Sequence, residues 1–506
     1  MYDTMQLRQW NGETMTLEEM IVDFSDKGYV TGILQSNAAE DICGYYNDTG
    51  IYRIGTDGTI TLQLDFCASN IVLSDYIDDM GCSNGTFYAL LQNDSGSTLV
   101  KLNESDAVVE TKTLTLATFV TDSRLEKMVS DYNQGAEKYH IEIADYSEYN
   151  ISDDEYDWSL GLEQLNMDMA SENVPDIINV YNIDLYTYAS QGYFLDLYEM
   201  MGNDEIYFKN AFLSGYLTAN EWNGALYWLS PICQVETLVA NADLTGGLES
   251  WDLSQFFEIC QTCNESGIQV VQSPSNMFIY ADRDLLDCSA NTCYFNNEQF
   301  LSIMEYASEL TDYSIDYSGL TDSEAQAASL EESARWGNGE QLLQQLTIGD
   351  YSDYVQMQES AVSYTLIGYP TRDGTNGTYY TDTQYMFAIP ANCTDVDAAW
   401  DFITSTLEVT YDDGSGFYYS GLPVVTSYLE VYVREETAVE SGEVSDADLQ
   451  AFEDFLNRIT RNSIWDSTIE NTVLDEFQKY VDGMQSVTDT VDLLQQKVGL
   501  YLKENA

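Results

Sequence analysis

A chain of 506 residues with 44% hydrophobic residues and only 6 prolines is long enough for several domains and too apolar to be disordered. Its 86 acidic against 18 basic residues leave a net charge of −68, which repels nucleic acid and anionic membrane surfaces and excludes them as partners. A solvated extracellular surface is the ordinary source of such charge, a salt-loving host would carry it too, and no Asp-x-Asp-x-Asp-Gly calcium loop gives it a metal role.

The N-terminus, MYDTMQLRQW, lacks the basic start and apolar run of a secretory signal. The segment GIYRIGTDGTITLQLDF (50–66) reads as two strands around the turn residues Thr56, Asp57 and Gly58. GSTLVKLNESDAVVETKTL (96–114) repeats that shape, with Arg53 and Lys101 matching 48 positions apart. FYALLQNDSGS before it answers GYYNDTG before Ile51. Short strands repeating at this length predict a partial β-propeller-like region over 1–112, although a closed propeller needs at least about four blades. The absent signal and the incomplete repeat together lead to the expectation that the chain begins inside a longer precursor. A small strand domain packed on the main body is the simpler alternative.

From Leu114 the hydrophobic period changes. LTLATFV is a strand, and RLEKMVSDYNQGAEKYHIEIADY is helix, Gly break and strand, with Leu125, Met128, Val129 and Tyr132 on one helical face. EYDWSLGLEQLNMDMASENVPDIINV adds a second helix and a third strand. This βαβαβ order predicts a parallel sheet with right-handed crossovers. A helix with apolar Leu185, Tyr188 and Ala189 follows, and Gly192 stops it. Further helices are predicted over 251–263, 297–311, 323–335 and 395–407, and the chain beyond 445 reads as almost wholly helical. No window of roughly 20 apolar residues is present.

Among the nine cysteines, Cys260 and Cys263 lie one helical turn apart and read as buried thiols, while Cys288 and Cys293 flank a short loop that a local disulfide could close. The spacing does not favour a four-thiolate zinc site. One histidine, His140, leaves no room for an ordinary nucleophile–histidine array, and no GxxxxGK phosphate loop or metal triad stands out. The chain is therefore read as a non-enzyme without cofactor or metal. A carboxylate pair of the glycosidase kind is the enzymatic alternative, but 86 acidic residues make some close pair inevitable. The 39 tyrosines and 8 tryptophans offer broad apolar faces with polar tips, which suit sugar rings as well as a core.

Seven collinear segments carry a resemblance. They are LTLATFVTDSRLEKMVSDYNQ, VPDIINVYNIDLYTYASQGYFLDLYEMM, EWNGALYWLSPICQVETLVAN, GGLESWDLSQF, RWGNGEQLL, LIGYPTRDGTNGTYY with YMFAIPANCTDVDAAWDFI, and GLPVVTSYLE with the final LLQQKVGLYLKE. In this order they resemble the extracellular, sugar-type solute-binding proteins of bacterial ABC importers over roughly 114–504. In RWGNGEQLL, Glu340 stands where the family often has Lys.

The resemblance implies an α/β, two-lobed periplasmic-binding-protein-like (type II) fold with a hinge, preceded by the small all-β repeat region. One lobe would take about 113–229 and 368–424, the other about 231–366 and 425–506. It further implies an extracellular, cell-surface-associated monomer that passes an oligosaccharide to an ABC permease, its signal and lipid anchor lying outside this chain. Peptide or other solute binding, and surface sensing or adhesion through the strand repeats, are the alternatives.

In this fold the ligand sits against loops at strand C-termini. That places Phe119, Thr121 and Asp122 at the first loop, Tyr181 and Asn182 after the third strand, and Trp228, Gln234 and Glu236 around the first crossing. Trp336 precedes a helix of the second lobe, and Tyr369, Gln384 and Tyr385 flank the return strands. Each has a structural alternative: Trp228 and Trp336 as core, Tyr385 as an inward strand residue, Asp122 as a helix N-cap. His140, Trp251 and Trp400 read as structural.

Overall fold

In the computed structural model the described residues are 6–504 apart from 12–15, 24–29, 35–42, 48–49, 56–58, 67–75, 84–85, 94–95, 103–111, 136–137, 153–154, 157, 172, 182, 184, 288–291, 316–318, 359–361, 376–378, 382–384, 409–420, 441–443 and 463–466. The chain falls into two compact units. The first is Met1–Asn179 with Cys393–Thr406 and Thr410–Tyr419, and the second is Val180–Asn392 with Leu407–Val409 and Ser420–Ala506.

The first unit opens with antiparallel β-structure. Gly32–Leu34, Cys43–Tyr46, Gly50–Ile54 and Ile60–Asp65 form a four-stranded meander, and Tyr76–Ser83, Thr86–Asn93 and Gly96–Leu102 form a three-stranded one. Leu34, Tyr46, Ile51 and Phe66 of the first meander share a core with Met80, Ala89 and Leu91 of the second. Arg53 and Lys101 both lie on third strands of their meanders. The second repeat differs from the sequence reading in its last strand. Lys112–Thr118 does not return to the meander but pairs in parallel with Tyr139–Asp145, because its Leu114, Leu116 and Ala117 are buried in the α/β core.

That pairing runs in unbroken register from Lys112↔Tyr139 to Thr118↔Asp145, and Ile177–Asn179 joins the other edge at Leu116↔Ile177. The helices Ser123–Gly135 and Trp158–Met169 make the crossovers. Leu125, Met128, Val129 and Tyr132 are buried, as their spacing predicts. Tyr132 also meets the helix Val396–Ser405, edge-on to Phe402 at 5.3 Å and donating to Asp401 at 3.0 Å.

Buried Asn133 locks helix to strand: its amide donates to the Ile141 carbonyl at 3.0 Å and its oxygen accepts the Ile141 N–H at 2.7 Å. Asn133→Ala removes both bonds and is expected to cost about 2 kcal/mol. The check is the urea midpoint, and an unchanged midpoint would show that the lock carries no stability.

The second unit is organised by the strand Ile232–Asn241. It pairs antiparallel with Leu343–Ile348, Tyr364–Leu366, Tyr379–Thr381 and Leu422–Pro423, and Tyr379–Thr381 pairs in parallel with Arg461–Asn462. Its helices begin where the sequence caps them. Asp252 and Gln255 form a reciprocal capping box for Leu253–Glu265, and Ser273 and Asn276 do so for Pro274–Asp282, where Pro274 sits at the first turn.

Leu253, Phe256, Cys260 and Cys263 turn one face inward and join a core with Phe278, Phe300, Phe477 and Leu494. Trp251 is fully buried there and donates its indole N–H to the Gly368 carbonyl at 3.0 Å. Cys260 and Cys263 are buried free thiols, and burial pushes both up in pKa. The local disulfide anticipated for Cys293 is not formed, since Cys293 is a free thiol packed beside Gln495; Cys288 lies outside the described residues. Among the described residues no helix is long and apolar enough to cross a membrane.

Candidate ligand site

Residues on a strand alternate between faces, and Ile232–Asn241 uses this to hold polar groups. Cys233, Val235, Thr237 and Val239 are buried, while Gln234 and Glu236 share the other face and are only partly covered. The Glu236 carboxylate accepts the Tyr369 phenol at 2.7 Å and the Arg283 guanidinium at 3.1 Å. The two charged side chains are 10% and 15% exposed, so the pair is largely dry and its mutual attraction strong. Tyr280 meets the Tyr369 ring edge-on at 5.9 Å, and the Arg283 guanidinium stands 5.3 Å from the same ring centre. Burial, then the Glu236 charge, pushes both phenols up, with Arg283 pulling the other way, so Tyr280 and Tyr369 remain protonated donors.

Arg283 is followed by Asp284, which anchors two further cations. Its carboxylate accepts the backbone N–H of Arg372 at 2.8 Å and that residue's Nε at 3.1 Å, and it pairs with Arg461. Arg461 and Asn462 form the two-residue strand beside Tyr379–Thr381, and register places Arg461, Tyr379 and Glu236 side by side across three strands. Asn462 accepts from the Tyr186 phenol at 3.2 Å and donates to Asn220 at 3.5 Å, and Asn220 accepts the Trp228 indole N–H at 3.1 Å. Tyr186 stands edge-on to Trp228 at 6.2 Å and lies 6.4 Å from the Trp222 ring. Among the described residues, the buried indole N–H of Trp222 has no hydrogen-bond acceptor. Contacts together with the chain neighbours Arg283–Asp284 and Arg461–Asn462 thus link Glu236 and Tyr369 to Asn220 and Trp228. Chemically the arrangement offers charged acceptors and forked donors backed by the buried rings of Tyr280, Tyr369 and Trp228, which suits binding a hydroxylated solute.

Of the residues singled out by sequence, the structure gathers Glu236, Tyr369, Trp228 and, by strand register, Gln234. Trp228 is fully buried, as its structural alternative requires, and touches the cluster through its N–H. Tyr385 is buried and Tyr181 partly so. Trp336 stacks on Tyr364 at 4.2 Å, and register puts Tyr364 opposite Asn241, at the far end of the central strand from Glu236.

In the first unit, Phe119 is buried against Tyr146 at 6.0 Å and Thr121 is exposed. Asp122 accepts the backbone N–H groups of Arg124 and Leu125 at 3.1 and 2.9 Å, the geometry of a helix N-cap. Asn182 and Gln384 lie outside the described residues. Sequence reading missed Tyr280, Arg283, Asp284, Arg372, Arg461, Asn220 and Asn462. The available signal was the triplet Asp282, Arg283, Asp284 in a chain with only 18 basic residues.

A parallel βαβαβ unit and a second α/β unit built on a long central strand define a binding-protein fold with two lobes. Residues 127–410 match the family described as bacterial extracellular solute-binding protein, and the chain belongs to that family. Its members are binding proteins that are secreted or surface-associated. Similar solved structures include a de novo designed cysteine esterase (15% identity, TM-score 0.50, covering 79% of this chain and 99% of that one). Others are an extracellular solute-binding protein family 1 member from Alicyclobacillus acidocaldarius (13%, 0.47, 78% and 100%) and the sugar-binding protein MalE from Xanthomonas citri (14%, 0.45, 78% and 98%). A comparison with curated proteins finds no match.

Proposed function

We propose that the chain is the extracellular substrate-binding component of an ABC importer and captures a carbohydrate, an oligosaccharide, which it delivers to a permease as a monomer. The observation that carries this reading is the Glu236–Tyr369–Arg283 arrangement, a dry charged acceptor held beside aromatic rings in a chain of a solute-binding family. Sugars present both vicinal hydroxyls, which paired charged groups recognise, and a C–H face, which rings cover. The ligand would lie between a lobe of about 113–229 with 368–424 and a lobe of about 231–366 with 425–506. Capture would proceed by hinge closure, because contacts from both lobes are complete only in the closed state. Residues expected to complete the contacts are Phe119, Thr121, Tyr181, Asn182, Gln234 and Gln384.

Titration calorimetry against a panel of neutral oligosaccharides and short peptides tests the reading. Heat from at least one sugar and none from the peptides is expected; heat from peptides alone overturns the carbohydrate assignment.

A further inference from the structure

A cavity of about 480 Å³ opens in the second unit away from Glu236. Such a volume lies within the roughly 300–1,000 Å³ of small-molecule pockets. Tyr364 and Leu366 on its strand wall pair with Asn241 and Val239, three to five residues along the central strand from Glu236. At about 3.4 Å per residue that is about 10–17 Å away.

Two aromatic stacks build the walls. Tyr364 lies flat on Trp336, 11° from parallel, and its phenol donates to the Trp336 carbonyl. Tyr354 stacks on Phe455 at 5.4 Å. These rings are held by their partners and need no reordering to receive a ligand. Glu249, Asp454 and Arg458 add charge to a lining that also holds Met357, Thr365 and Ala451. Arg458 donates to the Glu249 carbonyl at 3.3 Å, and Asp454 accepts from Gln450 at 3.0 Å.

The composition of this lining selects a ligand class. Two carboxylates in a chain of net charge −68 disfavour an anion. Arg458 offsets one of the two carboxylates, and a hydrocarbon would give none of the three charged groups a new partner. A neutral ring bearing hydroxyls fits this mixture: its C–H face packs on Tyr364 and the apolar lining, and its hydroxyls donate to the carboxylates and accept from the guanidinium.

We infer that this cavity is a second carbohydrate site, distinct from the one at Glu236, and that it takes a neutral mono- or disaccharide. It holds sugar independently of the first site, so that two sugars, or two parts of a long oligosaccharide, occupy the protein at once.

The test uses maltose, cellobiose and lactose at millimolar concentration, observed by saturation-transfer NMR on the full chain. At least one is expected to bind an E236Q variant, in which the first site is weakened, and to be lost when A451W is added. Ala451 is exposed and lines the cavity, so the larger ring fills it without disturbing the core. Should A451W not fold, the exposed Asp454→Ala change serves instead, with a severalfold weaker signal expected. No binding of any of the three to folded E236Q protein, or binding untouched by the cavity changes, overturns the inference. Loss of oligosaccharide affinity in E236Q but not in A451W speaks only to the first site, so the two readings fail separately.

Discussion

Replacing Glu236 by alanine is expected to weaken binding of the proposed oligosaccharide by about 100-fold and to lower folding stability by about 3 kcal/mol. Both effects come from the same carboxylate. It holds the Tyr369 phenol at 2.7 Å and the Arg283 guanidinium at 3.1 Å, and the Arg283 side chain is only 10% exposed. Removing the acceptor leaves a nearly dry cation without its counter-charge, which is the costly way to break an ion pair. It also releases Tyr369 and Arg283 from the geometry in which Glu236 holds them. E236Q should fall between, since an amide oxygen still accepts from Tyr369 but offers Arg283 no charge. Tyr369→Phe removes one hydrogen bond and should cost about tenfold in affinity with little loss of stability. Calorimetry and urea unfolding on the three variants read both quantities. Wild-type affinity in a folded E236A protein would move the binding site elsewhere.

The parts of this molecule that were legible in the sequence are those whose signals are local. The face Leu125, Met128, Val129 and Tyr132 predicts the first crossover helix, and the runs around Leu116, Ile141 and Ile177 predict three parallel strands; all are buried where the period puts them. Gly192 ends its helix with φ of 75°, a conformation that glycine adopts without steric cost.

The sheet of the second unit was not legible in this way. Several of its strands are two or three residues long, and Ile232 pairs with Pro423 far along the chain. A two-residue strand has no period to detect. Arg461–Asn462 therefore went unseen inside a region that reads as almost wholly helical, although it carries Arg461 to Asp284 and Asn462 to Tyr186.

The site divides along the same line. Glu236 and Tyr369 follow from the family resemblance, because they flank the first crossing and the return strands in the collinear pattern. Arg283 reaches Glu236, and Arg372 reaches Asp284, only through tertiary ion pairs, which no spacing encodes. Trp336 shows the converse. Its position suggested ligand or core, and the structure gives it a partner, Tyr364, that only the pairing of Tyr364–Leu366 with the central strand brings within reach.

Glu476→Ala should cost about 3 kcal/mol of stability, although it touches no proposed ligand group. Its side chain is 2% exposed between the helices Ser467–Val481 and Val487–Glu504. Lys479 and Lys497 donate to one carboxylate oxygen at 2.5 and 2.7 Å, and Gln485 donates to the other at 3.0 Å. The lysines are 43% and 47% exposed, so water screens their share and the cost sits at the low end for a buried pair. Burial alone would raise the carboxyl pKa, but the hydrogen bonds from Lys479, Lys497 and Gln485 outweigh it and hold it at about 2, against 4.5 for a free glutamate.

The sign of the pH effect follows. A depressed native pKa means that the unfolded chain binds the proton first, so this stabilisation is complete above pH 4.5 and is lost as pH falls towards about 2. Over the same range, protonation of other carboxylates relieves the repulsion within a chain of charge −68, so the wild-type curve alone mixes two opposing trends. The difference between wild type and E476Q isolates the single group. It is expected to stay flat from pH 7 to 5 and then shrink, as measured by urea unfolding at each pH. A difference that is zero at pH 7, or that grows on acidification, would show that Glu476 does not tie the two helices together.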